Sequence, residues 1–451
     1  METATDSKPG AIVFDRRQVY RPFLERLNPI GSSQGLLAEG LIVTPDHDPR
    51  DTGEPPIHVA FANTAELARG SQMALVGGIG SGKTTELLLT QQVLGRHSDA
   101  LNIFVDMADY TDLSEISTGA ILATAGIQLY RHLLKKTGNK KLPDAVTTAW
   151  MKLRELAFGK NDRVEQPPEP CHGGGGTHEA GVMYEGGGMY EGGGMYEGGG
   201  MYEGGGMYEG GGMYEGVMKL RFPALRRKVV EILEHLLIIA SALDSDSQIT
   251  LLVDGLDRLI RPELFREFAE QDLQALRGTK ISVIIVAPLL FLYDKSRFLQ
   301  DYFDTVKHIP AAAADPRNSA FLRQILQRRG ALDLMDRTEV TTIAKYSGGV
   351  LRDLLTLARS SAEYAYRDDE DRVSRRHVAA AINQLGNRYL VGLGYKQKRL
   401  LRGLIDDGKF PIENPTAREL LVNRQVLEYF KGGVDYFAVH PALAKILPKT
   451  A

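Results

Sequence analysis

A chain of 451 residues is long enough for two or three domains, and 43% hydrophobic residues can build a sizeable core. A net charge of −3 gives the whole chain no electrostatic footprint for nucleic acid, and a single cysteine, Cys171, excludes an intrachain disulfide. No stretch approaches the ~18 apolar residues that a bilayer span needs; the longest candidate is Leu236 to Leu243.

The first ten residues, METATDSKPG, lack the apolar core of a signal peptide, so a cytoplasmic protein is expected. An amphipathic helix near Arg17 to Leu27 and a Gly/Pro-rich connection follow. Met73-Ala74-Leu75-Val76 suits a buried strand and leads into Gly77 to Thr84, GGIGSGKT, a full match to the phosphate-binding pattern G-x-x-x-x-G-K-[ST]. Gly77, Gly80 and Gly82 let the backbone turn its N–H groups toward an anion. Lys83 can reach the β- and γ-phosphates of a nucleotide, and the Thr84 hydroxyl can coordinate Mg²⁺. Thr85 to Thr90 opens a helical pattern whose N-terminal dipole favours phosphate. The nucleotide is therefore expected against Gly77, Gly78, Ile79, Gly80, Ser81, Gly82, Lys83, Thr84 and Thr85.

Leu101 to Asp106 reads as a strand and Ile121 to Leu134 as an amphipathic helix. From Met183 the chain repeats MYEGGG, with Met-Tyr-Glu starting at 183, 189, 195, 201, 207 and 213. Half of each repeat is glycine, and ordering it would cost more backbone entropy than one Met and one Tyr return. The segment 161–217 therefore reads as a disordered insertion in a surface loop, with an adhesive tyrosine-spaced segment as the sharper alternative. Cys171, His172 and His178 offer metal-ligand types without a specific spacing. A helix is expected over Phe222 to Ala240.

Ile249 to Val253 is an apolar run ending in Asp254-Gly255-Leu256-Asp257. Asp254 sits where a Walker B aspartate would hold magnesium through water, and Asp257 is a candidate to orient or deprotonate an attacking water. Ile281 to Val286 and Thr305 to Ile309 read as two further strands. Helices between strands imply a parallel sheet covered on both faces. Downstream, Ser347-Gly348-Gly349-Val350-Leu351-Arg352 begins a helix that continues to Tyr364, followed by Val373 to Ile382.

With these motifs, over roughly residues 60–160 and 219–385, the chain resembles AAA+ ATPases, and more narrowly the bacterial relatives near the STAND and replication-initiator-like groups. The resemblance implies a helical lid after the sheet and, in Arg352, a sensor 2 arginine that reaches the γ-phosphate. Two positions depart from the superfamily pattern. Gly255 follows Asp254 where an adjacent Glu is usual, giving the DGLD form of STAND proteins, and the fourth strand ends in Ala287-Pro288-Leu289 with no evident sensor 1. Both leave nucleotide binding intact and put fast hydrolysis in doubt. Arg297, Arg328 and Arg329 are candidates for an arginine acting on a neighbouring subunit.

From about Leu385, the basic helical stretch Lys396 to Arg402, an apolar helix over Leu420 to Phe430, and a turn into a strand or hairpin arm at Lys431 to Val439 fit a small winged-helix-like domain. The expected fold is α/β: a parallel P-loop NTPase sheet, AAA+-like, with a helical lid and a small C-terminal winged-helix-like domain. The expected domains are an N-terminal extension at 1–60, an ATPase core at 61–310 interrupted at 161–217, a lid at 311–385 and the C-terminal domain at 386–451. The expected function is an ATP- and Mg²⁺-binding switch with slow or regulated hydrolysis, controlling assembly or signalling as in STAND-type regulators, including those of bacterial antiviral defence. A DNA-associated initiator- or loader-like ATPase and a non-hydrolysing scaffold are the alternatives. Lys83, Asp257 and Arg352 are the expected catalytic groups, with Thr84 and Asp254 on the metal. The expected partners are ATP and either a second copy of the chain or an effector protein; DNA stays open as a partner but is not indicated by net charge, and no membrane is expected.

Overall fold

The computed structural model describes residues 15–27, 39–44, 53–96, 100–110, 113, 116–138, 140–158, 228–243, 247–259, 263–293, 296–312, 316–431 and 433–447. The MYEGGG repeats, Cys171, His172 and His178, and the start of the helix expected from Phe222 lie outside the described residues.

Five parallel strands form the central sheet: β1 (Gln72–Gly77), β2 (Ala100–Asp106), β3 (Gln248–Asp254), β4 (Ile281–Ala287) and β5 (Thr305–Ile309), in the order β2-β3-β4-β1-β5. The inner strands are mostly apolar because both faces are covered. Met73 and Leu75 of β1 pack with Ile284 and Val286 of β4 in one core, beneath α2 (Ile57–Leu67) and α3 (Lys83–Leu94). Ala74, Val76, Val283 and Ile285 alternate into the core on the opposite face. After β1 the chain crosses to the far edge and works back, so β4 separates β1 from β3. Ligands of open α/β sheets bind where the strand order reverses, at the carboxyl ends of the strands. Here that is the end of β1.

On the second face lie α4 (Ala120–Lys136), α5 (Asp144–Phe158) and α6 (Val229–Ala240), packed on one another. Trp150 of α5 stacks on Tyr130 of α4 at 4.6 Å between centroids. α5 and α6 pack on each other, and closure entropy changes by only ~0.6 kcal/mol per doubling of loop length. Excising Gly181 to Gly216 is therefore expected to shift the melting temperature by less than ~5 °C. A larger fall on thermal melting would show that the repeats contribute to the packed structure.

A helical stretch that opens with α7 (Glu263–Phe268) contains a π-helical turn, Ala269–Leu273, which turns Asp272 fully inward. Its carboxylate accepts the Gly119 N–H at 2.7 Å, at the N-terminus of α4, where Gly119 has φ +89° and offers no side-chain cap. Burial pushes this carboxyl up to about 7, against the pull of the Gly119, Ile121 and Leu122 amides. The folded value is raised, so the stability this group contributes is full below the ordinary carboxylate range and is lost as pH rises toward about 7. Asp272→Ala, which strands buried N–H groups, is expected to cost about 2–3 kcal/mol. Asp272→Asn keeps an acceptor, costs less, and removes that pH slope. Urea unfolding at pH 5 and pH 8 reads both; an Asn variant with the parent's slope would show that Asp272 does not titrate there.

The lid consists of α8 (Pro316–Arg328), α9 (Arg337–Tyr346), α10 (Leu351–Arg367) and α11 (Arg375–Leu390). The N-terminal helix α1 (Arg16–Arg26) packs on α10, and Tyr20 donates to the Glu370 carbonyl at 2.9 Å. The C-terminal domain has α12 (Tyr395–Asp407), α13 (Pro415–Val422), an antiparallel hairpin of β6 (Val426–Lys431) and β7 (Val434–Val439), and α14 (Pro441–Ile446). The apolar helix expected over Leu420 to Phe430 is corrected: it stops at Val422, Arg424 takes φ +64°, and Val426 onward is strand. The run Val-Leu-Glu-Tyr-Phe finds a cross-strand partner, with Tyr429 stacked on Tyr436 at 5.3 Å, and that pairing outweighs local helical character. The architecture is the expected one: a parallel P-loop sheet, a helical lid and a small winged-helix-like domain. No helix among the described residues is long and apolar enough to cross a membrane.

Candidate nucleotide-binding site

The phosphate loop leaves β1 at Gly77, where a Cβ would lie 2.6 Å from the Ile309 carbonyl oxygen and 2.7 Å from Ser81 Oγ. Glycine is required there by close approach. At Gly80 and Gly82 it is required by φ of +81° and +106°. Lys83 and Thr84 open α3. The Lys83 ammonium donates to the Gly77 and Gly78 carbonyls at 2.9 and 2.7 Å and pairs with Asp257 at 2.9 Å. Thr84 Oγ1 donates to Asp254 Oδ2 at 2.6 Å, joining the two halves of the site across β4.

Gly255 explains the departure from an adjacent acid pair. It has φ +91°, and a Cβ would stand 2.6 Å from Asp106 Oδ1. The second acid is displaced to Asp257, in a 3-10 turn that aims it at Lys83. Asp106 itself was not singled out by the sequence, although it ends an apolar strand as Asp254 does, and the two are register partners. Burial pushes both carboxyls up. At Asp254 the Thr84 hydrogen bond opposes that shift, while the nearby Asp257 and Asp106 charges add to it.

The lid closes over the loop. Leu351 N–H donates to the Gly80 carbonyl at 2.9 Å, so α10 begins directly on the phosphate loop. A Cβ at Gly80 would lie 3.1 Å from the Arg352 Cβ. Burial lowers the Arg352 guanidinium from its ordinary value, and the Arg424 and Arg258 charges lower it further. Arg258 and Arg424 thus share the electrostatic environment of Arg352, and neither had a sequence signal. Arg424 comes from the C-terminal domain and lines a cleft with Gly78, Ile79 and Ser81. A second pocket is bounded by Ser81, Gly82, Thr85, Ile309, Phe321 and Leu351.

Two of the three arginines considered for a neighbouring subunit have other commitments. Arg329 is buried and donates to the carbonyls of Arg26, Leu41 and Ile325, which removes it from that set. Arg328 holds the Ile42 carbonyl at 2.6 Å, and Arg297 is exposed with φ +53°.

The residues fit ATP with Mg²⁺. Ser81 Oγ and Asp257 Oδ1 are buried without a hydrogen bond. Three carboxylates, Asp106, Asp254 and Asp257, act on one another beside Lys83, and Thr84 with Asp254 offers oxygen ligands of the kind Mg²⁺ takes.

No family model matches the chain. No curated protein matches it either. Among solved structures it is similar to Aeropyrum pernix ORC1 in complex with DNA, with a TM-score of 0.41 and 16% identity over 94% of this chain and 95% of that one. It is similar to Aeropyrum pernix ORC2, solved as ADPNP–ADP complexes, with a TM-score of 0.41 and 13% identity over 89% and 92%. It is also similar to the Thermotoga maritima RuvB Holliday junction branch migration motor, with a TM-score of 0.37 and 12% identity over 87% and 93%. All three likenesses are remote. No individual family is identified.

Proposed function

We propose that the chain is a Mg²⁺-dependent ATPase with slow or regulated turnover, used as a switch whose nucleotide state sets the pose of the lid and C-terminal domain and, through them, assembly or signalling. The observation that carries this reading is the Leu351–Gly80 hydrogen bond, which fixes the start of the lid helix to the phosphate loop. A change at the loop is then felt by α10.

Thr84 and Asp254 would hold Mg²⁺, which when bound draws charge from the phosphates. Lys83 is shared in this structure between Asp257 and two carbonyls. Engaging a triphosphate requires Lys83 to exchange Asp257 for phosphate. That exchange releases Asp257 to hold and orient a water, so the acid becomes available when substrate is present. Arg352 is suited to read the γ-phosphate from the lid side. The domain limits proposed are 1–60, 61–310, 311–385 and 386–451, adjusted so that α2 (Ile57–Leu67) stays whole with the core and α11 (Arg375–Leu390) with the lid, on which α1 docks.

Single substitutions test these roles. Asp254→Asn is expected to weaken Mg²⁺-dependent ATP binding. Asp257→Asn is expected to slow turnover by roughly 10²-fold or more at near-parent affinity, as for a group that acts in the transition state. Calorimetry with steady-state turnover reads both, and equal loss of binding in the two variants would overturn the assignment of Asp257.

A second reading, DNA contact through the C-terminal domain, is favoured by α12, which exposes Lys396 and Arg399. A turnover rate stimulated by duplex DNA separates it from the first.

A further inference from the structure

The edge strand β5 carries His308, whose register partner is Val76 on the phosphate-loop strand. The segment after β5 is covered by the C-terminal hairpin, where the Ala311 N–H donates to the Glu428 carbonyl at 2.9 Å. On that hairpin Glu428 pairs with Phe437, and Phe430 with Asp435. Glu428 and Asp435 are therefore diagonal neighbours on one face of the two-stranded sheet. That face presents Glu428 Oε2 to His308 Nε2 at 3.1 Å, with both residues buried at 5% and 8% exposure. Glu428 Oε2 makes no hydrogen bond. Ligand atoms of His308, Glu428 and Asp435 all lie within 4.8 Å of one another.

We propose that His308, Glu428 and Asp435 bind a divalent transition cation of the zinc class, which fastens the C-terminal hairpin to the sheet edge beside the phosphate loop. Three arguments support it. Two carboxylates and a neutral imidazole carry a charge of about −2, which one divalent cation cancels in a partly buried place. Tetrahedral zinc with ligands at about 2.0–2.1 Å sets them about 3.3 Å apart. The His308–Glu428 separation is already close to that, and Asp435, on the exposed side, has only to swing inward. An imidazole ligand selects zinc-class cations over Mg²⁺ and Ca²⁺, which take oxygen. Three protein ligands leave a fourth position for water. The inference does not depend on the nucleotide reading.

The test is a Zn²⁺ titration of the full chain by calorimetry against a competing chelator, in excess Mg²⁺ to occupy oxygen-only sites. The expected result is one equivalent whose affinity falls at least tenfold in both Asp435→Asn and His308→Gln. Asp435 is exposed, so its substitution leaves the fold intact. Zn²⁺ is expected to raise the melting temperature of the parent and not that of Asp435→Asn. Co²⁺ in place of Zn²⁺ is expected to give visible bands without a thiolate charge-transfer band, whereas binding through Cys171 would carry that band and persist in both variants. A parent that binds no Zn²⁺, or variants that bind it with the parent's stoichiometry and affinity, would overturn the proposal.

Discussion

Lys83→Ala is expected to lower ATP affinity at least a hundredfold, about 2.7 kcal/mol, while the protein stays folded. The side chain is buried, but its contacts are the Gly77 and Gly78 carbonyls and Asp257, all within the site, and it contributes nothing to either apolar core. Its removal leaves Asp257 without its closest counter-ion, and breaking a fully buried pair can cost ~3–5 kcal/mol. The cost here is expected to be smaller, because the Arg352 charge also acts on Asp257. The two effects are separable. Calorimetry reports affinity, and a melting curve without nucleotide reports the fold. An affinity within about threefold of the parent, under ~0.7 kcal/mol, would mean that the loop is not the phosphate site.

The second large effect is expected at Asp353, one residue beyond Arg352 on α10. This buried carboxylate accepts the Tyr389 hydroxyl at 2.5 Å and pairs with Arg424 at 3.2 Å and His440 at 3.4 Å. It ties the lid to two points of the C-terminal domain. Burial alone would raise its pKa; the His440 hydrogen bond, the Arg424 charge and the Tyr389 hydroxyl outweigh burial and hold the carboxyl below its ordinary range. With the folded value depressed, its contribution is present above the ordinary carboxylate range and is lost as pH falls through the lower, folded value. Asp353→Ala removes three partners at once and strands a half-buried arginine, so a loss of about 3–5 kcal/mol is expected. The melting-temperature gap between parent and Asp353→Asn should close on acidification. A loss under ~1 kcal/mol at pH 7 would show that the lid and C-terminal domain are held together elsewhere, for example by the Tyr429 hydroxyl on the Gly348 carbonyl.

The sequence by itself determined what depends on neighbours along the chain. Strand β1, the loop Gly77 to Thr84 and the start of α3 form one continuous local pattern, in which glycine spacing, a lysine and a helix start belong together. The apolar runs of β3 and β4 were legible because a strand buried on both faces has little polar alternation to obscure it. Tertiary structure decided what depends on approach from far away. Nothing local in Asp257 shows that it pairs with Lys83, 174 positions earlier in the chain (257 − 83). Asp106 became part of the site only when β2 lined up beside β3, and Arg424 only when the hairpin domain docked on the lid. The same reason accounts for the helix expected over Leu420 to Phe430. Val426 to Lys431 is a strand because β7 pairs with it, and a residue's own propensity is weaker than a ladder of cross-strand contacts that only the folded chain supplies.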